Sequence, residues 1–273
     1  MTSNLDMYCI TDKKLNYLEK LPFNLGAVGY DNFDQRYISS NSLENIYHKE
    51  KYYSELTFHY WFWKNKLKYT QDKWVGFCQK RRFWIDPKAD LDKINEENYF
   101  NNLLLNIENK YKDHESIICN PIKVSGVKKM KILKRGWRNF FKEPSIFFNE
   151  DKQSILLHFD MHHGYKNLEK AIDLLSQHDR LEFYEYVKKR NFFNPNIMFI
   201  AKPHIAKKWF DELFPWLERC EKIFGFDNLK GYDTTRLYAY LAERYLSFWF
   251  KKYTKYLEFP YFTLKLRRDG RVV

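Results

Sequence analysis

Glycine and proline are scarce in this sequence, at 9 and 8 of 273 residues. A chain so poor in both has no room for long flexible spacers. Cysteine is scarce as well. Cys9, Cys78, Cys119 and Cys220 lie far apart, without a CxxC pair or a Cys/His spacing, which argues against a zinc site. Three of them, Cys9, Cys78 and Cys119, sit inside apolar runs and read as buried free thiols of a reducing compartment. No stretch has the length of apolar sequence that spans a bilayer. The N-terminal MTSNLDMYCI has no basic region followed by a long apolar run, so no signal peptide is read there. The expected location is the cytoplasm, with contact to a membrane limited to its surface. No internal repeat is found.

What the chain does have is aromatic residues and positive charge. Phe, Tyr and Trp number 24, 21 and 8, and Lys plus Arg exceed Asp plus Glu by 47 − 35 = 12. A charge of +12 favours anionic partners: nucleic acid, an anionic membrane surface, or phosphorylated small molecules. At this length one large α/β domain with helical additions is the simplest organisation.

Apolar runs and helical periodicities alternate along the chain. Strands are expected at Met7 to Thr11, Leu25 to Tyr30, Lys73 to Trp84, Glu115 to Val124, Ser154 to Gly164 and Asn194 to Ala201. Helices are expected from Tyr52 to about Lys68, at Asp92 to Tyr111, at about Asn167 to Gln177 and Leu181 to Arg190, from Pro203 onward with a disturbance at Pro215, and at Thr234 to Tyr253. Ser125 to Glu150 reads as a loop with a short helix, and the tail from Phe262 as a final strand or a basic appendage. Alternating strands and helices imply a mostly parallel sheet. Ligands of such sheets sit beyond the C-terminal strand ends, so the polar residues that follow each apolar run are the candidates.

Those residues are DKK with Lys13, DNFD with Asp31 and Asp34, and QKRR with Lys80, Arg81 and Arg82. The planar fork of arginine pairs with phosphate oxygens in a bidentate way, which suits a pyrophosphate; solvated surface charge is the competing reading. Asp90 and Asp92 have Asp-x-Asp spacing but fit a helix cap better than a metal site. DMHH offers Asp160 or His163 as a general base on an acceptor hydroxyl. A zinc site at His162 and His163 is disfavoured, because neighbours on a strand face opposite ways. His158 reads as a core histidine. Glu55, His59 and Lys64 lie on a mostly apolar helix, and Glu243 and Arg244 fit an ion pair inside a helix.

Taken together, several segments resemble a bacterial family long catalogued as a domain of unknown function in capsule, exopolysaccharide and O-antigen gene clusters, with members assigned as galactofuranosyltransferases. Glu55 to Asn65 match the family's E-L-T-x-x-Y-W-x-W-K-N at every specified position. LGAVGYDNFD, Ile38, Ser39 and Asn41, the pair Arg81 and Arg82, His163, NIMFI, and Glu243 with Arg244 follow in the family's order. The chain departs from the pattern at Asp12, Gln79, Lys80 and His158.

The resemblance implies a single Rossmann-like nucleotide-sugar transferase domain, GT-A-like, with additional C-terminal helices. Its nucleotide-sugar half would be about 1–125 and its acceptor and catalytic half about 150–255. It implies inverting transfer of a sugar, galactofuranose in the family's case, from a UDP-sugar to a glycan hydroxyl. The acceptor would be carried on a polyprenyl diphosphate at the inner membrane face. Asp160, His163 and Glu55 are then the catalytic candidates. Lys13, Asp31, Asp34, Asn41, Lys64, Asn65, Lys80, Arg81 and Arg82 are the donor-binding candidates. No cofactor is required on this reading, with Mg²⁺ or Mn²⁺ at Asp90 and Asp92 as the lesser alternative. The competing functions are a basic nucleic-acid-binding protein and a non-catalytic scaffold of polysaccharide assembly. Aromatics at core spacing argue against the nucleic-acid reading.

Overall fold

The computed structural model describes residues 3–70, 73–124, 136–142 and 144–266. Residues 125–135 of the expected loop and the end of the tail, 267–273, lie outside the described residues. Two compact units are formed: Met1–Asn120, Asn196–Asp211 and Phe250–Val273 make the first, Pro121–Pro195 and Glu212–Trp249 the second. The first unit takes back two later segments because each delivers strands to its sheet.

In chain order the strands are β1 (Leu5–Thr11), β2 (Asn24–Ala27), β3 (Tyr37–Ser39), β4 (Trp74–Gln79), β5 (Arg82–Trp84), β6 (Ser116–Cys119), β7 (Ile122–Lys123), β8 (Phe192–Phe193), β9 (Phe199–Ala201), β10 (Tyr256–Phe259) and β11 (Tyr261–Thr263). The helices are α1 (Glu50–Tyr53), α2 (Leu56–Asn65), α3 (Trp137–Lys142), α4 (Ile155–His163), α5 (Asn167–Ile172), α6 (Gln177–Lys189), α7 (Pro203–Phe224), α8 (Tyr232–Thr235) and α9 (Leu237–Tyr253).

The first unit is built on a sheet of order β10-β6-β9-β4-β1-β2-β3, with β5 bridging β4 and β11. Pairs β1–β2, β1–β4, β2–β3 and β6–β10 are parallel, while β9 runs antiparallel to both β4 and β6. Strand β1 is buried along nearly its whole length because both sheet faces are covered. On one side Tyr8 meets Phe62 of α2 at 4.9 Å, and Phe77 meets Phe62 and Phe199 at 5.1 Å each. Gly26 permits this contact: a Cβ there would stand 2.7 Å from the Phe58 ring. On the other side Leu5, Met7, Cys9, Cys78, Phe83 and Tyr99 belong to one cluster. All four cysteines are buried and free. The α/β class with a mostly parallel sheet therefore holds.

Four expected elements differ. Glu115 to Val124 is not one strand but β6, in the main sheet, and β7, in a ribbon with β8. Lys73 to Trp84 is not one strand but β4 and β5 joined by a tight hairpin, with Gln79 paired to Arg82. Asp92 to Tyr111 is not a helix; it is a chain of short 3₁₀ turns. Asparagine side chains take the backbone donors a helix would need: Asn95 Oδ1 accepts from Glu97 N and Asn98 N, and Asn98 Oδ1 accepts from Asn95 N. Ser154 to Gly164 is not a strand but helix α4. Ser154 caps it, with Oγ accepting from Leu157 N at 3.3 Å. A short apolar run bounded by polar residues suits either element, and the cap decides.

The second unit is mainly helical, with the small ribbon β7–β8. Trp216 donates to the Ala171 carbonyl at 2.8 Å, and the Tyr245 hydroxyl donates to buried Asp179 at 2.6 Å. Helix α7 runs through Pro215 without a break in the assigned element, and belongs to the first unit up to Asp211 and to the second from Glu212.

Candidate functional site

The first unit has its topological switch at β1, whose neighbours β2 and β4 lead the chain to opposite sides. A crevice beyond the C-terminal ends of such strands is where an open α/β sheet takes a ligand. The register pairs Ile10 with Gln79, so DKK and QKRR leave the sheet side by side. Lys80 N donates to the Ile10 carbonyl at 2.9 Å. Thr11 shapes the turn after β1, its Oγ1 accepting from Lys13 N at 3.0 Å and donating to Lys13 O at 2.6 Å. Gly29 follows β2 with φ of +78°, a backbone conformation that glycine adopts freely.

The cations at this edge are not equivalent. Lys80 is ion-paired with Asp12. Lys14, which sequence reasoning passed over, is held by Asp34 at 2.5 Å, and this contact raises the lysine pKa and lowers that of Asp34. Asp31 accepts from Lys14 N at 2.7 Å and from Asn32 N at 3.0 Å, and these two backbone bonds lower its pKa. Arg82 donates to Gln79 Oε1 at 2.7 Å, and the Gln79 amide donates to Glu55, so Glu55, Gln79 and Arg82 form one chain of contacts. Arg81 is exposed; its Nε donates to the Leu264 carbonyl at 3.2 Å, and the terminal NH groups of its fork have no protein partner among the described residues. Lys13 is also exposed, in the turn that follows β1.

Other donor candidates sit elsewhere. Lys64 and Asn65 lie at the far end of α2, about 15 Å along the helix from Glu55. Lys64 pairs with Glu44 at 3.1 Å, and the Asn65 amide donates to Glu44 O and Trp61 O at 2.8 Å each. Asn41 is exposed just past β3, where its N donates to Ser39 Oγ at 3.4 Å. Asp90 accepts from Asp92 N at 3.2 Å and pairs with Lys93 at 2.8 Å, so it caps a turn, though a 3₁₀ turn in place of the expected helix. Among the described residues no group of three or more His, Cys, Asp or Glu is arranged for a metal ion.

In the second unit, finding α4 in place of a strand puts Asp160 and His163 three residues apart on one helical face. Asp160 Oδ1 accepts from Lys166 N at 2.9 Å. Together with Gly164, Lys230, Asp233 and Thr234, Asp160 lines a cavity of about 360 Å³. Lys230, Asp233 and Thr234 were not anticipated; the turn-forming KGYDTT run (230–235) that begins α8 was the signal available. His163 is held differently. Its Nδ1 faces the Asp233 carbonyl at 2.7 Å and therefore carries the proton, and its ring stacks on Tyr240 at 3.7 Å. Burial, then the nearby Arg244 charge, pushes its pKa down to about 3. Arg244 is buried and ion-paired with Glu243, stacks 3.9 Å over the Phe193 ring, and lies 3.4 Å from His158 Nδ1, which is half-buried.

His59 is the other suppressed histidine. Its ring is fully buried 4.4 Å from that of Phe77, neither nitrogen has a hydrogen-bond partner among the described residues, and burial pushes its pKa down to about 3. An unfolded chain protonates these histidines near pH 6.5, whereas the folded units refuse the proton until about pH 3. Stability is thus complete above pH 6.5 and is lost as pH falls through that window, by about 1.4 kcal/mol per pH unit per histidine. Melting temperature measured between pH 7.5 and 5 should fall steeply. His59→Leu should flatten the dependence of the first unit; an unchanged slope would refute this assignment.

Residues 6–255 match the family model described as "Domain of unknown function (DUF4422)". Among solved structures, the apo form of WbbM, a bifunctional glycosyltransferase, is similar to 96% of this chain with a TM-score of 0.69 and 17% sequence identity. The chain spans 45% of that protein, less than half its length. Comparison with curated proteins returns no match. At this identity the likeness establishes a shared fold.

Proposed function

The chain belongs to the DUF4422 family, and from that premise we propose that it is an inverting, UDP-sugar-dependent glycosyltransferase of surface polysaccharide synthesis. The observation that carries the reading is the pair of exposed cations, Lys13 and Arg81, at the switch point of the sheet. A shared fold with a glycosyltransferase supports it. The donor diphosphate binds beyond β1 and β4, where Arg81 and Lys13 meet its oxygens. Lys80 is held in place by Asp12, and Arg82 by Gln79.

Asp160, on the cavity of the second unit, is the candidate general base for a hydroxyl bound there. The acceptor oxygen attacks the anomeric carbon as the bond to the diphosphate breaks on the opposite face, and UDP leaves with the bonding electrons. His163 is a poor base at neutral pH because its pKa is about 3; it positions α4 against Asp233 and Tyr240. Glu55 positions Arg82 through Gln79. The donor sugar is galactofuranose, and the acceptor glycan is carried on polyprenyl diphosphate at the cytoplasmic face of the membrane.

Calorimetry with UDP and a panel of UDP-sugars tests the reading. Saturable binding of UDP, and tighter binding or turnover of one sugar donor, is expected. No binding at millimolar concentration would overturn it, and saturable binding of an oligonucleotide instead would favour the nucleic-acid function.

A further inference from the structure

We infer that the second unit carries a docking face for an anionic lipid surface, centred on Trp137, Phe141 and Phe148. These side chains are 49%, 74% and 79% exposed. Isolated surface aromatics are ordinary, but these three fall within residues 137–148. Trp137 and Phe141 are one helical turn apart on α3, with ring centroids separated by 6.2 Å. The Arg138 guanidinium lies 5.2 Å from the Trp137 ring and 5.2 Å from that of Tyr165, so a cation sits among the aromatics. Ribbon β7–β8 continues the same chemistry: Lys123 stands opposite Phe192, itself 48% exposed, and pairs at 3.7 Å with Glu150, two residues beyond Phe148.

Large aromatics flanked by basic residues suit the boundary between headgroups and acyl chains, where the rings leave water and the cations stay at the phosphates. Charge complementarity selects anionic lipid. Arg138 stands among the rings and the chain as a whole carries a charge of +12, which draws this face to a negative membrane surface. Nucleic acid would satisfy the cations and stack with Trp137, but has no apolar interior for Phe141 and Phe148. The inference gives a physical means for the membrane-side location proposed above, on which its biological purpose rests.

Sedimentation of the full chain with vesicles tests it without any sugar transfer. Binding to phosphatidylglycerol vesicles, little binding to phosphatidylcholine vesicles, and release by high salt are expected. The combined variant Trp137→Ser, Phe141→Ser, Phe148→Ser should lower the partition coefficient by about tenfold or more. Arg138→Glu should weaken it as well, which covers the case in which the triple variant fails to fold. Equal binding of both vesicle types, or variants of unchanged melting temperature that sediment like the unmodified chain, would overturn the inference. UDP binding would remain in either case, so failure here is distinguishable from failure of the transferase reading.

Discussion

Arg81→Ala should lower turnover by roughly 10²–10³, the usual loss when one charge-assisted contact to a developing anion is removed. Departing UDP gathers negative charge that is smaller in the bound donor, so the loss should appear in kcat more than in KM. Three cations at this edge already have carboxylates or amides: Lys80 has Asp12, Lys14 has Asp34, and Arg82 has Gln79. Arg81 alone among the arginines of the hairpin keeps the end of its fork for a ligand. Arg81→Lys should recover part of the activity, because lysine carries the charge but not the bidentate geometry. Arg82→Ala should cost a comparable factor, since its removal also releases Glu55 and Gln79 at the same edge. Arg81 is exposed, so stability should change little.

Activity should persist in EDTA. Residues 79–82 offer no carboxylate, and a hard divalent cation prefers oxygen ligands. Complete loss in EDTA, restored by Mn²⁺ or Mg²⁺, would contradict the assignment of charge neutralisation to Arg81. So would an Arg81→Ala protein within a few-fold of the unmodified rate.

Asp160→Asn should reduce turnover by about 10²–10⁴, the range of general-base catalysis. The amide keeps an oxygen that accepts from Lys166 N, so the end of α4 should stay folded. Only the capacity to take a proton at neutral pH is lost. The informative contrast is His163→Asn. That ring is already neutral across the working pH range, with a pKa of about 3, so its replacement should cost stability through the Asp233 and Tyr240 contacts and leave the shape of the pH–rate profile unchanged. If His163→Asn removes the acidic limb of that profile while Asp160→Asn stays active, the two roles are reversed.

Much of this architecture is legible in the sequence. The runs that become β1, β2 and β4 are apolar because both faces of the sheet are covered, and continuous burial writes itself as continuous hydrophobicity. Helices α2 and α9 announce themselves by spacing. The basic QKRR at a strand end and the Asp160 cluster are visible for the same reason: the polarity changes abruptly where the chain leaves the core. Failures occur where local and distant contacts compete. Residues 92–111 have helical spacing, yet asparagine side chains capture the backbone donors while Leu104 N bonds the Trp84 carbonyl at 3.0 Å and draws the segment onto the sheet. Residues 154–164 have a run too short to separate strand from helix, and Ser154 settles it.

By itself, then, the sequence determined which residues stand at the edge of the sheet, because strand ends are a matter of local hydrophobic pattern. The tertiary structure decided which of those residues have charge to offer. Lys80 meets Asp12 across 68 positions, Lys64 meets Glu44 across 20, and His163 meets the Asp233 carbonyl across 70. Ion pairs and hydrogen bonds of that kind depend on distance through space, and no linear pattern records which carboxylate or carbonyl will arrive.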